Sequence, residues 1–545
     1  MNPKSVASLV AVALLALPSL ASAMPSGSDG AALRDAANAL HELRIEEAAT
    51  TINRLAHDHP NDPDVRFERA MLRFYQGDYA GAVSDVEAAG ERGQLRAPED
   101  RESLAELIRA TREATRSFVT ERSSDGRYVV QHAPGRDAIL VPYAFEALER
   151  ADRALSEEIG VRLPGPIRLE IYPSAQSLAD VSSLTVEDIT TTGTIALCKW
   201  DRLMVTSPRA LARGYPWMDT VAHESVHMFL ARASRDQAPV WFQEGVAKFL
   251  ERRWREDEPG AHLDAPSETL LHHALTCPTT PSPQCAAAQQ SGTASLLSFD
   301  QLHPSIARLE SQEQAALAFA QVATFIEVFY REHGRGGLQR AIRQTAAGTD
   351  AREALAAVAG MPFDQLEQRW HESLLARPAP EDREAPRMLP VRLQEDDRPA
   401  DDRADVENER ARRHVRLGDL LWDRSRPRAA SVEYGRAHEI VPDDPIVSAR
   451  FARSALVGGR PAEAVRALER SRERFDDHAP TWAVSGAAWL ALGDLPQARR
   501  ALRRAIRINP FDPQPHCDLG EAADDEDERR RERAMCERIG GGRSR

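Results

Sequence analysis

Val221-Ala-His-Glu-Ser-Val-His-Met-Phe-Leu230, followed closely by Pro239-Val-Trp-Phe-Gln-Glu-Gly-Val-Ala-Lys-Phe-Leu-Glu251, decides how this 545-residue chain is read. His223 and His227 are four positions apart, so on a helix they project from one face, one turn above the other. Two imidazoles so placed can grip a single cation. Glu224 is rotated off that face, where its carboxylate can take a proton from water instead of ligating the ion. Val221, Ala222, Val226, Met228, Phe229 and Leu230 supply the apolar surroundings of a buried helix. A carboxylate buried between two histidines is costly, and a cation converts the three into a neutralised cluster. Taken alone, the first segment also fits a core helix whose histidines are satisfied by hydrogen bonds.

The second segment adds a third donor. Pro239 suits a helix start, and Gly245 allows the backbones of the two helices to approach closely. Glu244 follows His227 by 17 positions, room for the first helix to end, a polar turn at Ser234-Arg-Asp-Gln237, and a second helix to return. Together the segments resemble the gluzincin metallopeptidases, specifically the bacterial peptidase MA-like family. The metzincin pattern fails, because Leu230 and Ala233 stand where it requires Gly and a third His.

The resemblance covers about 128–377 and implies Zn2+ held by His223, His227 and Glu244, with Glu224 as the catalytic residue. It also implies a small sheet ahead of the zinc helix, whose edge strand, within 193–206, would hold substrate by strand addition. The family places an oxyanion-stabilising tyrosine early in the long downstream helix, and the matching residues here are Ala318-Phe319-Ala320-Gln321. Phenylalanine has no hydroxyl. Tyr330 lies three turns further on, roughly 16 Å along the axis, and Tyr215 precedes the zinc helix. Asp219, one turn before His223, is expected either to orient that histidine or to cap the helix.

Around this domain the sequence predicts strands at 127–134, 167–173, 193–198 and 202–206, and an amphipathic helix over 141–159. The stretch 256–292 reads as a loop carrying His272 and His273, pinned by a Cys277–Cys285 bond. Helices resume over 311–333, 338–346, 351–358 and 363–375.

Both flanks repeat with a period of 34. Ala48 and Ala82 are one period apart, with Ala70, Gly77, Tyr79 and Ala89 at positions that want small or aromatic residues. Later, Leu417, Gly418, Ala430, Tyr434, Ala437 and Pro442 fit one unit, and the phase recurs 68 positions on, where Gly486, Ala498, Ala505 and Pro510 match Gly418, Ala430, Ala437 and Pro442 and Trp482 stands in the same unit, with Ala464 between. Both arrays resemble tetratricopeptide repeats, the second ending in a polar capping helix stapled by Cys517–Cys536.

The expected fold is therefore mainly α with an α+β core, a gluzincin-type zinc metallopeptidase domain between two tetratricopeptide-repeat helical arrays. Its parts are a signal peptide (1–23), N-terminal tetratricopeptide-like helices (31–121), the peptidase-like domain (125–377), a Pro- and acid-rich linker (378–408) and C-terminal repeats (409–540). Lys4, an apolar run over 6–17 and Ala21-Ser-Ala23 make the leader. The expected location is exported, periplasmic or secreted. No stretch is long and apolar enough for a membrane span, and a net charge of −14 argues against nucleic acid. The implied function is hydrolysis of a peptide or protein substrate, with protein partners bound by the repeats. The alternative is a non-catalytic protein-binding scaffold that retains the gluzincin domain.

Overall fold

Ile167-Arg-Leu-Glu-Ile-Tyr172 alternates apolar and polar residues, giving a strand with two unlike faces. In the computed structural model, which describes residues 28–90, 93–278, 283–302, 306, 309–379, 389, 392–394 and 401–540, both faces are buried. The leader, 1–23, lies outside the described residues. Five strands, β1 (Val119–Arg122), β2 (Tyr128–His132), β3 (Ile167–Tyr172), β4 (Ala196–Lys199) and β5 (Arg202–Thr206), are ordered β1-β2-β3-β5-β4. The inner three run parallel and the two outer pairings are antiparallel.

Leu169, Ile171, Leu203 and Val205 point to one side, where they share the main core with helices Val141–Ile159 and Trp217–Ser234. Glu170, Tyr172 and Arg202 point to the other, against the N-terminal helices. There Glu170 accepts hydrogen bonds from Arg202 (2.9 Å), Tyr172 (2.6 Å) and Tyr79, and Arg202 also donates to the Val181 carbonyl (3.0 Å). A charge pair with no exposed surface persists only when its remaining donors and acceptors find such partners.

The rest is mainly helical. In the N-terminal array Ile45–Asp58 and Tyr79–Ala89 begin 34 residues apart, with Pro63–Tyr75 between. Helix Pro98–Thr115 ends sooner than the repeat boundary at 121 suggests, because 119–122 leaves it to become β1. In the C-terminal array, first helices Pro445–Val457, Ala479–Leu492 and Pro513–Ala522 start at 34-residue intervals. The second helices Pro427–Ile440, Pro461–Arg474 and Leu495–Ile508 keep the same interval. The last helix, Glu526–Ile539, is joined to its partner by the Cys517–Cys536 disulfide.

Two expectations differ from what is seen. The 256–292 stretch carries helices Ala265–Thr276 and Pro283–Gln290, linked by the Cys277–Cys285 disulfide, so His272 and His273 are helical residues. Where it is described, the 378–408 linker is strapped down. Leu393 bridges to Leu211, and the buried Asp405 holds both Arg213 and Arg392, which gives an acid-rich stretch its partners.

Candidate metal centre

The helix Trp217–Ser234 is buried on nearly every side, with Trp217, Val221, Val226, Phe229 and Leu230 wholly enclosed. Arg235 and Asp236 then take left-handed backbone angles (φ 54° and 58°), which turn the chain sharply into helix Val240–Leu250. Gly245 does allow a close approach, but to a different partner from the one predicted. A Cβ there would lie 2.8 Å from Ile326 Cγ1 and 2.9 Å from the Val322 carbonyl, both on the long helix Gln312–Ala346. That contact brings Phe319, a turn earlier, beside His223, with ring centroids 6.4 Å apart.

The turn and this packing bring His223, His227 and Glu244 together. Their donor atoms are separated by 3.2 Å (His223 Nε2 to His227 Nε2), 3.3 Å (His223 Nε2 to Glu244 Oε2) and 3.4 Å (His227 Nε2 to Glu244 Oε2). Four donors arranged tetrahedrally at about 2.0–2.1 Å from a zinc ion are about 3.3 Å from one another, so the three residues fit such an ion. It is also the only such cluster of three or more ligand residues among the described residues. The three side chains keep 14%, 12% and 20% of their surface exposed, leaving one side of the cluster open, as a catalytic rather than a structural site requires.

Electrostatics agree with the geometry. Burial opposes a charge on His223, but hydrogen bonding to Glu244 and Glu251 outweighs it and pushes the imidazole up to about 10. Glu244, against the cost of its own burial, is held well below the usual carboxylate range by His227 and His223. The cluster thus keeps a proton where a divalent cation would neutralise the same carboxylate, and metal binding would release it. Burial pushes the Glu224 carboxyl up, opposed by His227, by His223 and by the nearby backbone amide of Cys198 on β4. Glu224 is itself buried and is not one of the three clustered donors.

One neighbour of the cluster escaped the sequence reading. Glu251 Oε2 lies 3.4 Å from His223 Nδ1, and its carboxylate accepts from Lys248 Nζ at 2.8 and 3.0 Å. The signal was its spacing: seven residues after Glu244, two turns on, it shares that ligand's helix face. Asp219, by contrast, neither caps its helix nor orients His223. It accepts from Trp254 Nε1 (3.0 Å), from Arg255 (2.8 and 3.0 Å) and from Arg504 of the C-terminal array (3.2 Å). The candidate oxyanion donors are engaged elsewhere, Tyr215 with the Thr206 carbonyl and Tyr330 with Glu158 at 2.8 Å.

No family model matches this chain, and no curated protein does. Among solved structures, a thermophilic TPR protein of Thermus thermophilus is 26% identical over 24% of this chain and 72% of its own, with a TM-score of 0.22. The P58(IPK) TPR domain is 11% identical over 91% of this chain and 97% of its own (TM-score 0.20). Yeast LTA4 hydrolase is 12% identical over 78% of this chain and 67% of its own (TM-score 0.29). Similarities this slight carry no argument about the site.

Proposed function

We propose that this chain is an exported zinc metallopeptidase of gluzincin type, with repeat arrays that bind proteins. The observation that carries the reading is the triangle of donors, 3.2–3.4 Å on a side, open to solvent and flanked by Glu224. Held by His223, His227 and Glu244, zinc would supply a Lewis acid for the scissile carbonyl and lower the pKa of water. Glu224 takes the proton of the attacking water and passes it to the leaving amine, a task suited to a carboxyl raised by burial. Glu251 fixes the orientation of His223. β4 is one of the two outer strands of the sheet, and the one whose Cys198 amide lies near Glu224, so an extended peptide added along it would run past that carboxylate. Two disulfides support export into an oxidising compartment. Stacked helix pairs support the protein-binding role.

Phe319 favours a second reading. It stands beside His223 where the family supplies a hydroxyl, and loss of one oxyanion donor costs about a hundred- to a thousandfold in turnover. A non-catalytic scaffold is therefore the alternative. The test is zinc content per chain, together with cleavage of an unfolded protein with and without chelator. One zinc and chelator-sensitive cleavage, lost in Glu224→Gln while zinc is retained, is the expected result. One zinc with no cleavage supports the scaffold, and no zinc overturns the site.

A further inference from the structure

A cavity of about 560 Å³ lies in the C-terminal array between second helices Pro461–Arg474 and Leu495–Ile508, with Trp482 and Trp489 of the intervening helix in its lining. It is separate from the groove between first helices, which is lined by Trp422, Arg450 and Arg453. Five arginines line it. Two are already neutralised, Arg503 by Glu528 and Arg504 by Asp219 and Asp476. Arg472, Arg500 and Arg507 have no carboxylate within ion-pair distance among the described residues. Arg507 lies 5.4 Å over the Trp254 ring, and burial, then Arg255, push its guanidinium down to about 10. Two donors are buried without an acceptor among the described residues, Arg472 Nε and Trp489 Nε1.

Buried donors lacking acceptors cost free energy until a ligand supplies them. Three unneutralised guanidinium groups in a chain of net charge −14 say that the ligand is anionic. Elsewhere in this molecule arginine forks close on aspartate and glutamate, as Arg450 does on Asp402 at 2.6 Å. Glu469 and Glu473 also line the cavity and would repel a ligand charged at every position, such as a nucleic acid backbone, so the ligand's acidic groups must be spaced by uncharged ones. Trp482 and Trp489 are two turns apart, about 10 Å along the helix. That spacing suits apolar side chains three residues apart on a peptide in the extended polyproline-II form, whose three residues per turn put them on one face about 9 Å apart, with acidic ones between.

We infer that this cavity is a docking site for an acidic, partly apolar segment of a polypeptide, whose carboxylates would pair with Arg472, Arg500 and Arg507 while its apolar side chains rest on the two tryptophans. The inference does not rest on the peptidase reading, since docking needs no metal and no hydrolysis.

The test uses the full-length chain carrying Glu224→Gln, which separates binding from cleavage, and a fluorescein-labelled peptide that repeats leucine-glutamate-glutamate, read by anisotropy. The acidic peptide should bind and quench tryptophan fluorescence, and its glutamine counterpart should not. Arg472→Gln and the exposed Arg500→Glu should each weaken binding about tenfold or more, the worth of one charge-assisted contact. Arg453→Glu, in the separate groove, should leave it unchanged. The inference is overturned if the acidic peptide does not bind, or if Arg453→Glu alone weakens it. Equal binding by a single-stranded oligonucleotide or by inorganic phosphate would also overturn it.

Discussion

Glu251→Gln separates a metal centre from a chance grouping of polar side chains. Glu251 is buried, and its carboxylate meets two basic groups, the His223 imidazole at 3.4 Å and the Lys248 ammonium at 2.8 Å. Burial disfavours its charge, yet Lys248 and then His223 hold the carboxyl down at about 2, so it is ionised at neutral pH. An ionised acceptor at Nδ1 fixes the tautomer that turns Nε2 toward the other donors and makes that nitrogen more basic. A glutamine keeps the shape and removes the charge.

Loss of such a partner lowers metal affinity about 10- to 100-fold, or about 1.4–2.7 kcal/mol. The assay is a zinc titration of metal-free protein against a competing chelator, with no reference to activity. Glu224→Gln and Asp219→Asn should bind zinc as the unaltered chain does, because neither side chain belongs to the donor triangle or touches His223 Nδ1. Wild-type affinity in Glu251→Gln would refute the orienting role. Equal losses in Glu251→Gln and Asp219→Asn would mean that the measurement reports general loosening of the fold.

Phe319→Tyr places a hydroxyl on the ring beside His223, and if the missing donor limits turnover, kcat should rise by up to about a hundred- to a thousandfold with zinc affinity unchanged. Gly245→Ala puts a methyl 2.8 Å from Ile326 Cγ1, so thermal unfolding should show a loss of about 1–3 kcal/mol from overpacking. His478 is wholly buried in the C-terminal array, and burial, then Arg213 and Arg450, hold it down to about 3. Its folded value is below its unfolded one near 6.5, so the unfolded chain binds more protons between those limits and stability falls as pH drops from about 6.5 to 3, by at most about 1.4 kcal/mol per pH unit. In His478→Gln that part of the slope in denaturant-melt stability should vanish. Removing the Cys517–Cys536 link, which closes 19 residues, should cost about 3 kcal/mol in a reversible melt.

What could be read from the sequence was whatever repeats or alternates. The 34-residue phase marked the helix pairs, and the alternation in 167–172 marked a strand, because both record periods of local backbone geometry. The pairing of His223 with His227 follows from one helical turn, and Glu244 joined them because only a short turn intervenes. Glu251 was two turns beyond a residue already chosen, so its spacing was visible but its target was not. Asp219 misled because a carboxylate at a helix start reads locally as a cap, whereas its partners Trp254, Arg255 and Arg504 come from 35 to 285 positions away. Gly245 was assigned the wrong neighbour for the same reason. The polar residues of β3 and β5 gave no hint that their side of the sheet would be enclosed. Glu170 and Arg202 pair with each other, with Tyr79 supplied from another part of the chain, although Arg202 Nε is buried without an acceptor among the described residues.

These long-range contacts bear on how the repeats relate to the centre. The Tyr215 amide donates to the Ile508 carbonyl at 3.0 Å, two residues before the helix carrying His223 and His227 begins. Arg504 reaches Asp219 on the first turn of that helix, and Leu502 and Ile506 belong to the same apolar core as Trp217 and Phe242. On the other side Tyr79 and Arg202 tie the N-terminal helices to the sheet that carries the edge strand. Neither array is a tethered accessory, because removing either one would open a face of the central core to water. Asp219 would keep Trp254 and Arg255 if Arg504 were withdrawn, so the hold of the C-terminal array on the helix carrying His223 and His227 rests on Arg504 together with the Tyr215–Ile508 hydrogen bond and the shared apolar core.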